Sequence, residues 1–329
     1  MSVKIAPVRI AIVGSGAMGA LHARVVSQSM EAELACVIDP DAEAGEALAE
    51  RWRSRWFPEL DSFRGIDALI VASPTGSHVE WAMRALDEGK PVLVEKPIAE
   101  DLAEVDALID RARQLGVPMT CGLLERFNSA LLTAVEIVDE PTHAVTIRHS
   151  PYLARIASGV AYDLLIHDVD FMLRLAGGVP DDVTAHFSYA HPYSSPGAED
   201  VIEASLQFDG MLAALSASRI SQRKLRSLVI YELERMVEVD LVRQDITVYR
   251  HVGADFLEGG GHGYRQQTVM DIPVVQNARE PLVSQLEHFV ALASGEGDAA
   301  KELDSLRPPH AVVAKIVEVG REASKRPPG

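Results

Sequence analysis

Val8-Arg9-Ile10-Ala11-Ile12-Val13-Gly14-Ser15-Gly16-Ala17-Met18-Gly19 decides the fold. Apolar residues up to Val13 form a buried strand, and G-x-G-x-x-G follows at once, ahead of a helix over 17–30. In that setting the glycines permit a tight turn. They also let a pyrophosphate approach the helix N-terminus, where free N–H groups and the helix dipole favour anions. The next strand, 34–38, closes on Asp39, twenty residues after Gly19. An acidic side chain there accepts hydrogen bonds from an adenosine ribose and repels a 2′-phosphate. NAD is therefore expected rather than NADP, and Pro40-Asp41 offers no arginine to a phosphate. The competing role for Asp39 is N-cap of a helix over 41–52.

The alternation continues with strands at 68–72, 92–94 and 118–122 and helices at 79–88 and 103–115. Repeated strand–helix units with short loops predict a doubly wound parallel sheet, a Rossmann arrangement. Ligands then bind beyond the carboxyl ends of the strands. Pro91-Val92-Leu93-Val94-Glu95-Lys96-Pro97 delivers Lys96 to that rim. Pro97 biases Lys96 toward an extended conformation and is a place for a cis bond.

The pattern changes near residue 123. Alternating stretches at 142–150, 201–208, 211–219, 225–241 and 245–251 predict a large, mostly antiparallel open sheet. The expected organisation is an NAD-binding domain over 1–123 and an α+β domain over 124–329. Gly259-Gly260-Gly261-His262-Gly263 reads as a flexible loop. Within 162–170, helical spacing places Asp163, His167 and Asp170 on one face. A carboxylate beside an imidazole orients the ring and favours its protonated form, which suits a general base for an alcohol. A solvated face with an Asp–His pair is the plainer alternative. Two side chains are too few for closed zinc coordination, and no metal is expected.

The 329 residues carry 47% hydrophobic and 24% charged side chains and a net charge of −17. That charge argues against nucleic acid and against an anionic membrane as partners. No apolar run nears the length that spans a bilayer, roughly 20 residues. Residues 1–13 read as the first strand rather than a signal peptide. Cys36 and Cys121 lie in apolar surroundings and read as buried thiols. A cytoplasmic enzyme is expected.

GSGAMG, Ile38-Asp39-Pro40, Ser73-Pro74-Thr75-Gly76-Ser77-His78 and VLVEKPIA together resemble the Gfo/Idh/MocA family of oxidoreductases. The resemblance implies that Lys96 sits near the nicotinamide and the reacting hydroxyl. It implies Asp163 and His167 as its catalytic companions. It places the cofactor against Gly14, Gly16, Ala17, Met18, Gly19, Asp39, Ser73, Pro74, Thr75, His78, Glu95 and Lys96. Glu125-Arg126-Phe127-Asn128, Pro151-Tyr152, Arg155-Ile156 and Asp163-Leu164 with His167-Asp168 look like the UDP-N-acetylglucosamine 3-dehydrogenase group. That implies substrate contacts from Arg126, Asn128, Tyr152 and Arg155. The two arginines serve either as a bidentate phosphate clamp or as surface salt bridges. The implied substrate is a sugar or nucleotide sugar oxidised at carbon 3. The implied assembly is a homodimer or homotetramer through the C-terminal sheet. An inositol, free-sugar or biliverdin-reductase-like enzyme of the same family is the alternative. From another class, a cofactor-sensing regulator without turnover is expected to lack Lys96 or His167.

Overall fold

The computed structural model describes residues 6–154, 156–258, 261–275 and 279–324. The chain forms two compact units, Met1–Leu124 with Glu280–Ala314 and Glu125–Arg279 with Lys315–Gly329.

The first unit runs β1 (Val8–Val13), α1 (Ala17–Gln28), β2 (Ala32–Ile38), α2 (Ala42–Arg51), β3 (Arg55–Phe57), β4 (Ala68–Val71), α3 (His78–Asp87), β5 (Val92–Val94), α4 (Leu102–Leu115) and β6 (Met119–Cys121). Its six strands are ordered β3-β2-β1-β4-β5-β6 and all pair in parallel. Every residue of β4 and β5 is buried, as expected of strands covered on both faces. The strand order reverses between β1 and β4, the point where such sheets hold a dinucleotide. Three-residue β3 has no legible periodicity and is an addition to the expected set. The helix ends follow local chemistry. Asp101 caps α4 by accepting from the Ala103 N–H at 2.9 Å, and Gly116 ends it at φ +65°. Asp41, not Asp39, caps α2.

The second unit runs α5 (Ser129–Ile137), β7 (His143–His149), α6 (Ile166–Ala176), β8 (Asp182–Ser188), β9 (Val201–Phe208), β10 (Met211–Ser218), β11 (Leu225–Tyr231), β12 (Arg235–Asp240), β13 (Asp245–Glu258) and β14 (Gly261–Asp271). A π-turn, Ala161–Leu165, leads into α6. The eight-stranded sheet is ordered β14-β13-β12-β11-β7-β10-β9-β8. Only the β7–β10 pair is parallel. One face is buried through Ala144, Thr146 and Arg148 of β7 and Ala213, Leu215 and Ala217 of β10.

Three expectations change here. The stretch 225–241 is a hairpin, β11 and β12, rather than one strand. Strand β8 was not anticipated. Gly261-His262-Gly263 belongs to β14, which pairs with β13 as far as Glu258↔Gly261, while Gly259 and Gly260 lie outside the described residues. Backbone pairing overrides the looseness that glycine implies.

The compact units part between Leu124 and Glu125, and the first also takes in Glu280–Ala314. Helix α7 (Pro281–Ala293) and the part of α8 (Ala299–Ser324) up to Ala314 belong to the first unit. Leu282, Leu286, Phe289 and Val290 join Ile10, Ile12, Val26 and Leu93 in a single core. Arg24 of α1 also pairs with Glu280 at the head of α7. An amphipathic helix carries no mark of which core it completes. Among the described residues, no helix is long and apolar enough to cross a membrane.

Phe289 is fully buried in this core. Phe289→Ala should cost about 3–5 kcal/mol, read by denaturant unfolding of the NAD-binding unit. An unchanged midpoint would place α7 elsewhere.

Candidate active site

The carboxyl ends of the parallel strands form one rim because each strand hands a backbone hydrogen bond to the next turn. Gly14 N–H donates to Ile38 O at 2.8 Å, Ala72 N–H to Val13 O at 2.8 Å and Glu95 N–H to Val71 O at 2.9 Å. Gly14 stands at φ +99°, and a Cβ there would lie 2.6 Å from the Ala72 oxygen. Only glycine fits. A Cβ on Gly19 would run into the Gly14 carbonyl, so Gly19 lets α1 seat against the turn. Gly16 has nothing near its missing Cβ. Gly16 and Ala17 are exposed and Met18 is half-buried. The first turn of α1 carries no acidic side chain, leaving its positive end unopposed.

Asp39 is half-buried at the end of β2. Its Oδ2 accepts from the Ser15 N–H at 2.6 Å and the Ser15 hydroxyl at 2.7 Å, and its Oδ1 from the Asp41 N–H at 2.8 Å. A carboxylate has about four acceptor sites, so this locked group keeps capacity for a ribose hydroxyl. An open cradle over Gly16, a bare helix N-terminus and a fixed carboxylate fit a dinucleotide. Ser73, Pro74 and Thr75 reach the same rim at least partly exposed.

Two residues expected at the cofactor are buried and hydrogen-bonded within the protein. His78 is buried, with Nδ1 2.9 Å from the Pro97 oxygen and Nε2 2.9 Å from the Ser73 oxygen. It ties the turn after β4 to the turn after β5. Glu95 is buried, and His22 Nε2 donates to its Oε1 at 2.8 Å. The Lys96 N–H donates to Glu95 Oε2 at 3.2 Å. Burial opposes the Glu95 charge, but His22 and Lys96 outweigh it and hold the carboxyl below its ordinary value. A side chain on Gly122 would collide with this carboxylate, so glycine makes room for it. Within 92–99, Lys96 alone is not buried. The Lys96–Pro97 bond is cis.

In the second unit the anchor is Arg148, which breaks the apolar alternation of β7 and is buried. Its Nε and one terminal nitrogen donate to both oxygens of Asp168 at 2.8 and 2.9 Å. The other terminal nitrogen donates to Glu125 Oε1 at 2.9 Å. Burial opposes the guanidinium charge, yet Asp168 and Glu125 outweigh it and raise its pKa. Burial also pushes the Asp168 carboxyl up; the bidentate fork is nonetheless the ionised arrangement. Asp170 does not share an exposed face with Asp163 and His167. It is buried, and Arg126 forks onto it at 2.9 and 2.6 Å.

These anchors turn the helix so that, from Ala161 through Leu173, only Asp163 and His167 are not buried. Asp163 lies in the π-turn rather than in regular α-helix. Such turns often mark functional positions. The turn starts where it does because Gly159 admits the Glu199 carboxylate, which accepts from the Ala161 N–H at 2.9 Å.

The described residues expected to meet substrate also make contacts within the protein. Arg126 is held by Asp170 in a buried ion pair rather than a surface one. Asn128 is buried, caps α5 through the Ala130 N–H and donates to Glu125 Oε2 at 2.9 Å. Tyr152 is half-buried, stacks on His191 at 3.5 Å between centroids and donates to the Tyr193 oxygen at 2.7 Å. Arg155 lies outside the described residues. Sequence reading missed His22 and Arg148, and with Arg148 the Arg226 that stands opposite it on β11. Arg148 and Arg226 were legible only as charges at inward positions of strands.

Residues 8–123 match the model of the oxidoreductase family with an NAD-binding Rossmann fold, and 139–236 match the GFO/IDH/MocA C-terminal domain. The chain belongs to the Gfo/Idh/MocA family of oxidoreductases. Residues 8–123 of the first unit are the family's NAD-binding Rossmann domain. Among its relatives is UDP-N-acetylglucosamine 3-dehydrogenase of Acidithiobacillus ferrooxidans, 29% identical over 86% of this chain and 87% of that one. A solved structure of that enzyme superposes with a TM-score of 0.82 at 27% identity, covering 98% of this chain and 100% of the other. The scyllo-inositol 2-dehydrogenase (NAD(+)) of Bacillus subtilis is 26% identical over 88% of this chain and 92% of its own.

For this family member, Gly19→Val should break the contact between α1 and the glycine turn. Overpacking costs roughly 1–3 kcal/mol, so NAD affinity measured by calorimetry should fall about ten- to a hundredfold. Glu95 gives a pH signature. Its folded pKa lies below the ordinary 4.5, so its stabilisation is present above that value and is lost as pH falls through the folded pKa. Glu95→Gln should lower stability at neutral pH and flatten the acid limb of the stability profile; an unchanged limb would deny Glu95 this role.

Proposed function

We propose that this chain oxidises a secondary hydroxyl, at carbon 3, of a nucleotide sugar such as UDP-N-acetylglucosamine to the keto sugar. The observation that carries this reading is the end-to-end similarity to the Acidithiobacillus 3-dehydrogenase, in sequence and in fold. Lys96, Asp163 and His167 support turnover over a regulatory role, because each emerges alone from an otherwise buried stretch.

NAD, when bound at the glycine turn, supplies the hydride acceptor. The protein's own residues manage the proton. His167 takes it from the reacting hydroxyl, and Asp163 orients the ring and favours the imidazolium. Lys96 donates a hydrogen bond to the same oxygen as negative charge develops on it. Asp39 holds the adenosine ribose and sets the preference for NAD over NADP. Ser73, Pro74 and Thr75 border the cofactor. The open face of the eight-stranded sheet, with Leu212 and Tyr231 exposed on it, is where we place the homodimer or homotetramer contact.

A second reading, an inositol dehydrogenase, is supported by relatives of that activity, including the Bacillus enzyme. NADH formation with UDP-N-acetylglucosamine, N-acetylglucosamine and myo-inositol separates the two. Lys96→Met should lower kcat by about 10²–10³-fold with NAD affinity intact. His167→Gln should lower it by about 10²–10⁴-fold. Wild-type turnover in either variant would remove the residue from the mechanism.

A further inference from the structure

The second unit holds a cation that its ion-pair network meets only at long range. Arg226 of β11 sits directly opposite Arg148 of β7, on the buried face of the sheet. Arg148 takes both oxygens of Asp168 and Oε1 of Glu125, and Asn128 takes Oε2 of Glu125. Arg226 reaches Glu125 only at 3.8 Å, beyond hydrogen-bond range. Its Nε is sealed from solvent without a hydrogen-bond partner, and its side chain is 32% exposed. A guanidinium has five donors in a planar fork, and buried polar groups are nearly always satisfied. Here no side-chain hydrogen bond satisfies any of them among the described residues. Burial and the Arg148 charge both push Arg226 down from its ordinary value, against Glu125, Asp168 and Asp163. Geometry ties it to the helix: Arg226 and Arg148 share Glu125, and Arg148 forks onto Asp168, the neighbour of His167.

We infer that Arg226 binds the phosphate oxygens of a phosphorylated sugar substrate and selects it over uncharged sugars. A planar fork matches two phosphate oxygens. Arg126, the more obvious clamp from sequence, is spent on Asp170, whereas Arg226 still has its donors to give. The phosphate is either the diphosphate of a nucleotide sugar or a sugar monophosphate, and the chemistry at Arg226 is common to both. The inference deepens the sugar-dehydrogenase reading and rests on it.

The experiment compares wild type, Arg226→Met and Arg226→Lys on UDP-N-acetylglucosamine, glucose 6-phosphate, N-acetylglucosamine and myo-inositol, with UDP as competitive inhibitor. Melting temperature and NAD affinity establish that each variant is folded; the Lys variant stands in if the Met variant is not. Arg226→Met should raise KM for the phosphorylated substrate and weaken it, or UDP, by about ten- to a hundredfold, with Lys recovering part. Turnover of uncharged sugars should fall much less than turnover of phosphorylated ones. Equal losses on charged and uncharged substrates, or none, overturn the role of Arg226 and leave the nucleotide-sugar reading standing. Arg226-dependent oxidation of glucose 6-phosphate without turnover of the UDP-sugar overturns that reading and supports the inference. A wild type that oxidises only uncharged polyols overturns both.

Discussion

A single buried guanidinium governs the second unit. Arg148 projects from an inward position of β7, where an apolar residue would ordinarily stand, and a charge there is tolerable only if fully paired. Asp168 and Glu125 supply that pairing. Asp168 is thereby pinned against the sheet, and the helix that carries it has one rotation available. Glu125 is pinned too, which locates the chain where it enters the unit. Removing one partner of such a cluster leaves an uncompensated charge, at a cost of about 3–5 kcal/mol. The network therefore specifies geometry more than it adds stability.

The same device recurs in the NAD-binding unit. Glu95 is buried against His22 of α1, and its sequence neighbour Lys96 is left uncovered at the rim. Asp168 is buried against Arg148, and its neighbour His167 is left uncovered on the helix. In each case a locked inward charge sets the direction of the adjacent residue. Neighbours diverge by a half-turn on an extended chain and by about 100° on a helix. Fixing one thus helps to aim the other. His78, bridging the Ser73 and Pro97 carbonyls, adds a second tie between two turns of the rim.

Much of the first unit was legible because its signals are local. Gly14, Gly16 and Gly19 act within one turn, and short apolar strands alternating with helices allow few topologies. The placement of Asp39 and Lys96 at strand ends follows from that topology. The internal partners of Arg126 and Asn128 were not legible, because a polar side chain in a loop carries no label saying whether it meets solvent or a buried partner. Asp170 was misread for a related reason. Helical spacing gives angular position but not which side the sheet covers, and a π-turn before α6 alters the spacing itself.

The sequence by itself determined the parallel nucleotide-binding sheet, the dinucleotide cradle and the family, since these rest on spacings of a few residues and on backbone conformations open only to glycine. Tertiary structure alone decided that α7 completes the NAD-binding core, 189 or more positions after Leu93 by residue number. It alone decided that Arg126 is committed while Arg226 keeps its donors. Those outcomes depend on which charges meet when distant strands and helices pack. A buried charge takes whichever partner the fold brings within about 3 Å, and linear order does not encode that choice.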